Sequence, residues 1–387
     1  MRLRHPDGST VHLAYCTNVH PAQDVAGLVD QIDRYCGGVR ERLGVDRLGV
    51  GLWLPAVAAH ALAADADDLA RVRTALERAG CEVVTLNAFP YGHFHAPVVK
   101  RDVYVPDWTE DARLDYTLAC AEVLAALMPD DADRGSISTL PLAWRTPWDD
   151  GRRAAARAKL VALDEALADL RRRTGRTVRV ALEAEPGCVV ETSEQTAAEL
   201  AGIGEHVGAC VDLCHLATEF EDPAEAAATL ADAGVPVVKT QVSAALHAEH
   251  PAEEATRASL AAFAEDRFLH QTRAQLDGRV ERRDDLPEAL AGDLPDDGPW
   301  RVHFHVPLHA GPEAEGLRST TDVLEDGLRT LVGGASPLVD HLEVETYTWS
   351  VLPEGVRPKT DDDLVAGIAA ELSWTAARLE TMGVTAR

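Results

Sequence analysis

The chain has 387 residues, of which 46% are hydrophobic and 26% charged, with a formal net charge of −27. This size and apolar content suit a folded protein with a sizeable core, and the acidity disfavours nucleic acid or anionic membrane as a partner, since both select a basic surface. Seven cysteines without a Cys-x-x-Cys pair, no apolar signal core after Met1, and no run near the ~18 apolar residues that span a bilayer lead to the expectation of a cytoplasmic protein without membrane insertion.

Short runs rich in Val, Ile, Leu and Thr alternate with longer alanine-rich stretches. Strands are expected at His12–Thr17, Leu48–Leu54, Glu82–Ala88, Ser136–Leu140, Thr177–Glu183, Gly208–Leu213, Pro236–Val242 and Leu342–Tyr347. Apolar spacing predicts helices over Val57–Ala79, Glu110–Met128, Gly151–Arg173, Ser193–Ile203, Pro223–Ala233 and Asp361–Met382. Strand followed by helix, repeated about eight times, predicts an α/β fold of the (β/α)8 TIM-barrel type.

A ninth apolar run, Trp300-Arg-Val-His303-Phe-His305-Val-Pro-Leu-His309, exceeds that count. With the segment beginning Arg267-Phe-Leu-His270 it either forms an insertion before the last strand or replaces the Gln241 run in the barrel. The chain is read as one TIM-barrel domain, 1–387, with an insertion over 247–300. The acidic link Asp284–Gly298 is expected to be an exposed loop within it. The acidic blocks Asp65–Asp68, Asp130–Asp133 and Asp361–Asp363 read as solvated loops or helix starts.

Polar residues recur at the ends of the predicted strands. Glu183, Asp212 and Gln241 follow one another at intervals of 29 residues, about one βα unit each, and Glu345 ends the last strand. A parallel barrel brings such ends to one face, where the four could hold a divalent ion able to polarise a sugar carbonyl or stabilise an enediolate. Asp212 could equally cap a helix beginning at Leu213. Period-two alternation sends Glu185 the same way as Glu183, and Glu343 the same way as Glu345. Glu183 and Glu345 are the preferred metal and acid–base groups, with Glu185 and Glu343 in supporting positions.

Histidines form a second set. His93 and His95, in Asn87-Ala-Phe-Pro-Tyr91-Gly-His-Phe-His, and His303 and His305 would each present two imidazoles on one side of an extended chain. With His215 and Tyr91 they are the candidate substrate-binding groups; His20 is a weaker one. Trp53, Phe89, Trp144, Tyr347 and Trp349 also fall at strand ends, suited to stacking on a sugar or to core packing. No Gly-x-Gly-x-x-Gly or phosphate-loop pattern is present, which disfavours dinucleotide and ATP chemistry.

Leu182-Glu183, Asp212-Leu-Cys-His215 and Val344-Glu345-Thr look like metal-ligand strand ends of the xylose isomerase-like barrels, a superfamily that includes sugar (phosphate) isomerases and epimerases and the endonuclease IV nucleases. More closely, Tyr15-Cys-Thr-Asn-Val-His20-Pro, the Asn87–His95 segment, Gly135-Ser-Ile-Ser-Thr-Leu-Pro, Glu183-Ala-Glu-Pro-Gly-Cys and His303-Phe-His-Val-Pro-Leu resemble the EboE family of metabolite-traffic proteins. That resemblance implies a role in moving a biosynthetic precursor beside a prenyltransferase-like partner protein. One departure stands out. Sugar epimerases of the superfamily usually carry histidine where this chain has Gln241, so either a different metal is held, His303 or His305 takes over, or catalysis is lost.

The first expectation is therefore a metal-dependent isomerase or epimerase, using Mn, Mg or Zn, that acts on a small polar metabolite. The alternative is a non-catalytic carrier or scaffold with a degenerate barrel pocket. Phosphodiester cleavage is disfavoured by the charge.

Overall fold

Eight parallel strands close into a barrel in the computed structural model, which describes residues 1–386. They are β1 (Thr10–Cys16), β2 (Leu48–Trp53), β3 (Cys81–Ala88), β4 (Arg134–Thr139), β5 (Thr177–Glu183), β6 (Val207–Asp212), β7 (Val237–Val242) and β8 (His341–Val344). Closure runs through β8 against β1, with His341 opposite His12 and Val344 opposite Tyr15. All eight predicted strands are present. Flanked by helices and buried on both faces, such strands read as nearly continuous apolar runs.

The barrel interior also holds polar groups. Lys239 on β7 and Glu343 on β8 are both fully buried and pair at 2.6 Å. Gly51 on β2 makes room for this pair, since a Cβ there would lie 1.4 Å from Glu343 Oε1. The apolar core lies outside the strands, under the helices.

The predicted helix Val57–Ala79 is two helices, Ala56–Ala64 and Ala66–Ala79. Asp65 between them is extended and its carboxylate accepts from the Asp67 and Asp68 amides, so its capping preference ends one helix and starts the next. Helical structure over Val25–Leu43, interrupted by a π-turn at Ile32–Cys36, is not predicted by the sequence reading, and neither are helices Glu254–Ala261 and Thr321–Val332.

Between β7 and β8 the chain builds a second, antiparallel sheet. Its strands, in spatial order, are Arg279–Arg283, Thr272–Leu276, Trp300–Val302, Leu246–Ala248 and Leu317–Ser319. The run beginning at Trp300 thus belongs to the insertion, and Gln241 stays in the barrel. The sheet draws on residues from Leu246 to Ser319, beyond the expected 247–300. The Asp284–Gly298 link is not a simple exposed loop. It turns through Leu286–Glu288 and Ala289–Asp293 and buries Leu286, Ala289 and Leu294, each large side chain contributing roughly 1.5–3 kcal/mol. Asp284 pairs with Arg101 and Arg145, and Asp285 with Lys100. On the other side Arg273, fully buried, donates to Glu219 at 2.6 Å and to Glu191 at 2.9 Å, fastening the sheet to the β5–β6 side of the barrel.

At the opposite end of the barrel, buried Glu82 accepts from Arg2 Nε at 2.8 Å and faces His12 Nδ1 at 3.8 Å. Burial raises its pKa, but His12 and Arg2 outweigh that and hold the carboxyl at about 2, against an ordinary 4.5. A depressed carboxylate adds stability above its unfolded pKa and loses it as pH falls through the folded one. Glu82→Gln is therefore expected to cost at most about 3 kcal/mol at pH 7. In urea unfolding the gap from the unaltered protein should shrink below pH 4.5 and nearly close by pH 2.

Candidate metal centre and pocket

The carboxyl ends of β5 to β8 converge as their register requires. Asp212 stands opposite Gln241 and Gln241 opposite Glu343, while Glu183 pairs with Cys210 one step back. Glu345 follows β8, its amide bonded to Val242 O at 3.3 Å. Carboxylate oxygens of Glu183, Asp212 and Glu345 lie within 4.8 Å of one another, all buried. Asp212 Oδ1 accepts from the His215 amide and from Ser243 Oγ, both at 2.8 Å, so Asp212 caps the helix Leu213–Thr218 with one oxygen and keeps Oδ2 free. The helix-cap and ligand readings of this residue are compatible, since each uses a different atom.

Glu345 Oε1 accepts from Asn18 Nδ2 at 2.6 Å and Asn87 Nδ2 at 2.9 Å, and its Oε2 has no partner. Gln241 directs its amide nitrogen at Glu183 Oε2, 3.4 Å away, leaving its Oε1 unpaired. It remains in the ring but turns a donor toward the neighbouring carboxylate.

Three imidazoles complete the cage. His215 Nδ1 donates to Ala184 O at 2.8 Å, His305 Nδ1 to Glu345 O at 2.6 Å, and His303 Nδ1 to Gln271 Oε1 at 2.8 Å. Gln271 is oriented by its own donation to Pro186 O at 2.8 Å. Anchoring Nδ1–H on a carbonyl leaves the Nε2 lone pair free, the arrangement typical of metal-bound histidine. The Nε2 atoms of His215 and His303 face each other at 3.0 Å, and that of His305 lies 3.9 Å from Asp212 Oδ2 with no hydrogen-bond partner. Two lone pairs at that distance require a proton or a cation to reconcile them. Sets able to hold an ion are Glu183/Asp212/Glu345, Asp212/His215/His305, Glu185/His215/His303 and Cys214/His303/His305.

The electrostatics express the same crowding. Burial, then the Asp212 charge, pushes Glu183 up to about 7, and burial, then Glu183 and Asp212, drives Glu345 well above the carboxylate range. Burial lowers His305 to about 4 and holds His303 well below the ordinary imidazole range, keeping both neutral. For His215 burial acts downward, but Asp212, Glu185 and Glu183 outweigh it and raise it. A divalent cation would relieve the repulsion among the carboxylates and use the lone pairs. The donor set fits one.

The cage forms the floor of a pocket of about 500 Å³, partly open to solvent, whose walls include Phe89, Phe94, Tyr104, Phe268 and Tyr347. Of the predicted substrate-binding groups, His215, His303 and His305 line it, whereas Tyr91, His93 and His95 do not. His93 has φ 56°, so the chain is not extended there and the two side chains do not project together. His93 is exposed, His95 Nε2 bonds Asn18 O at 2.7 Å, and Tyr91 packs edge-on to Tyr116. His20 is buried and stacked on Tyr35, 4.0 Å between centroids, away from the pocket.

Sequence reading did not single out Asn18, Asn87, Tyr104 or Gln271. Tyr104 donates to Glu185 Oε1 at 2.8 Å and, with Gln271, holds that carboxylate beside the imidazoles. Asn18 and Asn87 lie in segments that carry the family resemblance, but no spacing rule identifies such supports.

Residues 41–265 match the sequence profile of the family described as xylose isomerase-like TIM barrel. Among solved structures the chain is similar to a candidate xylose isomerase from Rhodospirillum rubrum, at 15% identity over 95% of this chain and 99% of that one, with a TM-score of 0.51. It is similar to a candidate sugar phosphate isomerase/epimerase from Anabaena variabilis, at 14% identity over 97% and 100% of the two chains, with a TM-score of 0.50. A D-tagatose 3-epimerase-like protein matches at 12% identity over 95% and 98%, also with a TM-score of 0.50. At these identities the likeness is one of fold. No curated protein matches the sequence. Among the described residues no helix is long and apolar enough to cross a membrane.

Proposed function

The chain belongs to the xylose isomerase-like TIM barrel family, and on that premise we propose that it is a divalent-metal-dependent isomerase or epimerase of a small hydroxylated metabolite. The observation that carries this reading is the convergence of anchored imidazoles and unpartnered carboxylate oxygens: His305 Nε2, Asp212 Oδ2 and Glu345 Oε2 are all buried and without hydrogen-bond partners. In this reading Glu183, Asp212 and Glu345 hold the ion, and His305 supplies the imidazole that the seventh strand, with Gln241, does not. A mixed carboxylate and imidazole set suits Mn or Zn better than Mg.

When bound, the ion polarises a substrate carbonyl or its adjacent hydroxyl. Glu183 and Glu345, whose carboxylate oxygens lie within 4.8 Å of each other on the floor, take a proton from the neighbouring carbon and return it, each kept from water by burial. Asn18 and Asn87 fix the Glu345 carboxylate through Oε1, which leaves Oε2 for ion or substrate. His215 and His303, steadied by Ala184 and Gln271, orient substrate oxygens. A place in metabolite traffic is compatible with this chemistry, the barrel acting on a precursor that a prenyltransferase-like partner handles.

Purified protein is expected to bind about one Mn2+ per chain and, in D2O, to exchange a carbon-bound hydrogen of at least one member of a ketose and aldose panel. Glu345→Gln should remove the exchange. Ligand binding without exchange, unaffected by Glu345→Gln, would instead support a carrier.

A further inference from the structure

The pocket above the cage is unlike a phosphate site. Its walls are built by Phe89, Pro90, Phe94 and Val103 from the segment after β3, and by Phe268 and Leu269 from the insertion. Phe94, Phe268 and Tyr347 form a mutual cluster with centroids 5.0–5.4 Å apart, and Tyr347 reaches the floor at His305, 4.7 Å away. The polar side chains that line the pocket, apart from Lys100, belong to the floor or serve it: Asn18 and Asn87 donate to Glu345, and Tyr104 to Glu185.

Among the described residues Lys100 is the one Lys or Arg side chain on the lining, and it is already committed. Its Nζ meets Asp285 Oδ2 at 2.6 Å, Phe268 O at 2.8 Å and Glu265 O at 3.3 Å, which accounts for the three donors of an ammonium. Its role is to tie the segment after β3 to the insertion, so that the two halves of the aromatic wall stay together. Arg101 and Arg145 are held by Asp284, and Arg267 donates to Ser350 Oγ at 3.0 Å. Among the described residues a phosphate entering here would find no Lys or Arg on the lining with a donor to spare, and it would stand beside Glu183, Glu185 and Glu345 with only His215 and the ion of the cage to offset its charge.

Resting on the metal reading for the head group, we infer that the substrate is not a sugar phosphate but an uncharged molecule of two parts. Vicinal oxygens bind at the cage, and an aromatic or comparably flat apolar moiety lies against the wall that Phe94, Phe268 and Leu269 form. Stacking and burial of a ring against this wall provide the discrimination.

Three hydroxamates with the same chelating head test this on the Mn2+-loaded full chain: acetohydroxamate, benzohydroxamate and phosphoglycolohydroxamate. Benzohydroxamate is expected to bind about tenfold or more tightly than acetohydroxamate, and phosphoglycolohydroxamate no more tightly. Phe268→Ser should reduce the benzohydroxamate-to-acetohydroxamate ratio toward one, and Leu269→Asn, at a partly buried side chain, should lower it where Phe268→Ser fails to fold. In parallel, saturation-transfer NMR on metal-free protein should detect p-cresol, with the signal lost in the same variants. A tightest fit for the phosphate-bearing ligand, or equal affinity for the methyl and phenyl ligands, would overturn the inference while leaving the metal reading intact. Failure to bind Mn2+ with p-cresol still bound at the wall would reject the metal reading and retain the aromatic site. Failure of p-cresol as well would reject both.

Discussion

Asp212→Asn is expected to lower the affinity for Mn2+ by at least about 100-fold while leaving the protein folded. The two oxygens of Asp212 have separate duties. Oδ1 accepts from the His215 amide and Ser243 Oγ, and asparagine retains that acceptor and is as good a helix cap. Oδ2, buried and unpartnered between the carboxylates and His305, becomes an amide nitrogen that offers hydrogens where lone pairs are needed. Asp212 belongs to two of the sets able to hold an ion, so its loss strikes both. Asp212→Ala adds the lost cap, about 1 kcal/mol, and should unfold at a lower temperature than Asp212→Asn. Isothermal titration with Mn2+ and thermal unfolding of both variants check the two effects separately. Equal Mn2+ affinity in Asp212→Asn and the unaltered protein would remove Asp212 from the centre.

Lys239→Met is expected to be the more damaging change to the fold, costing about 3–5 kcal/mol. Lys239 Nζ contacts Glu343 Oε2 at 2.6 Å, Leu86 O at 3.0 Å and Ser138 Oγ at 3.2 Å inside a barrel that excludes water from both charges. Burial works against the ammonium, and Glu343 more than offsets it, so Lys239 is held above its ordinary range. Methionine fills the space but leaves Glu343 as a buried charge with Gly51 pressed against it. Adding Glu343→Gln to Lys239→Met should recover more than half of the loss, because the penalty lies in the orphaned charge and not in the missing attraction. Chemical denaturation of the single and double variants measures this. A double variant no more stable than Lys239→Met would show that the ion pair is not the source.

The barrel was legible because most strands are buried runs rich in apolar residues and bounded by turns, and parallel strands make such runs recur at βα spacing. The same regularity made Glu183, Asp212, Gln241 and Glu345 readable as one ring. Parity also placed Glu343 on the inner face with Glu345, but only the structure shows that Lys239 consumes it one layer below the cage. His303 and His305 both reach the cage, while His93 and His95 do not, since a positive φ at His93 breaks the extended chain on which the His-x-His argument depends. Composition concealed the role of Asp284 and Asp285. An acidic stretch with Pro and Gly reads as solvent-facing, yet these two carboxylates meet Lys100, Arg101 and Arg145 from segments far away in sequence. Gly37-Gly38 masked the first long helical segment, where Gly38 allows Val365 to pack closely. Supports such as Asn18 and Gln271 become visible only when the partner they orient is in view.

If the acidic strand ends and the anchored histidines surround a metal ion, anomalous diffraction from a crystal soaked in Mn2+ will locate it. A peak within about 2.5 Å of carboxylate oxygens from Glu183, Asp212 and Glu345, with His305 Nε2 turned toward it, is the expected result. A well-ordered, fully soaked crystal with no anomalous density in the cage, or density only on the acidic surface, would show that these residues do not hold an ion.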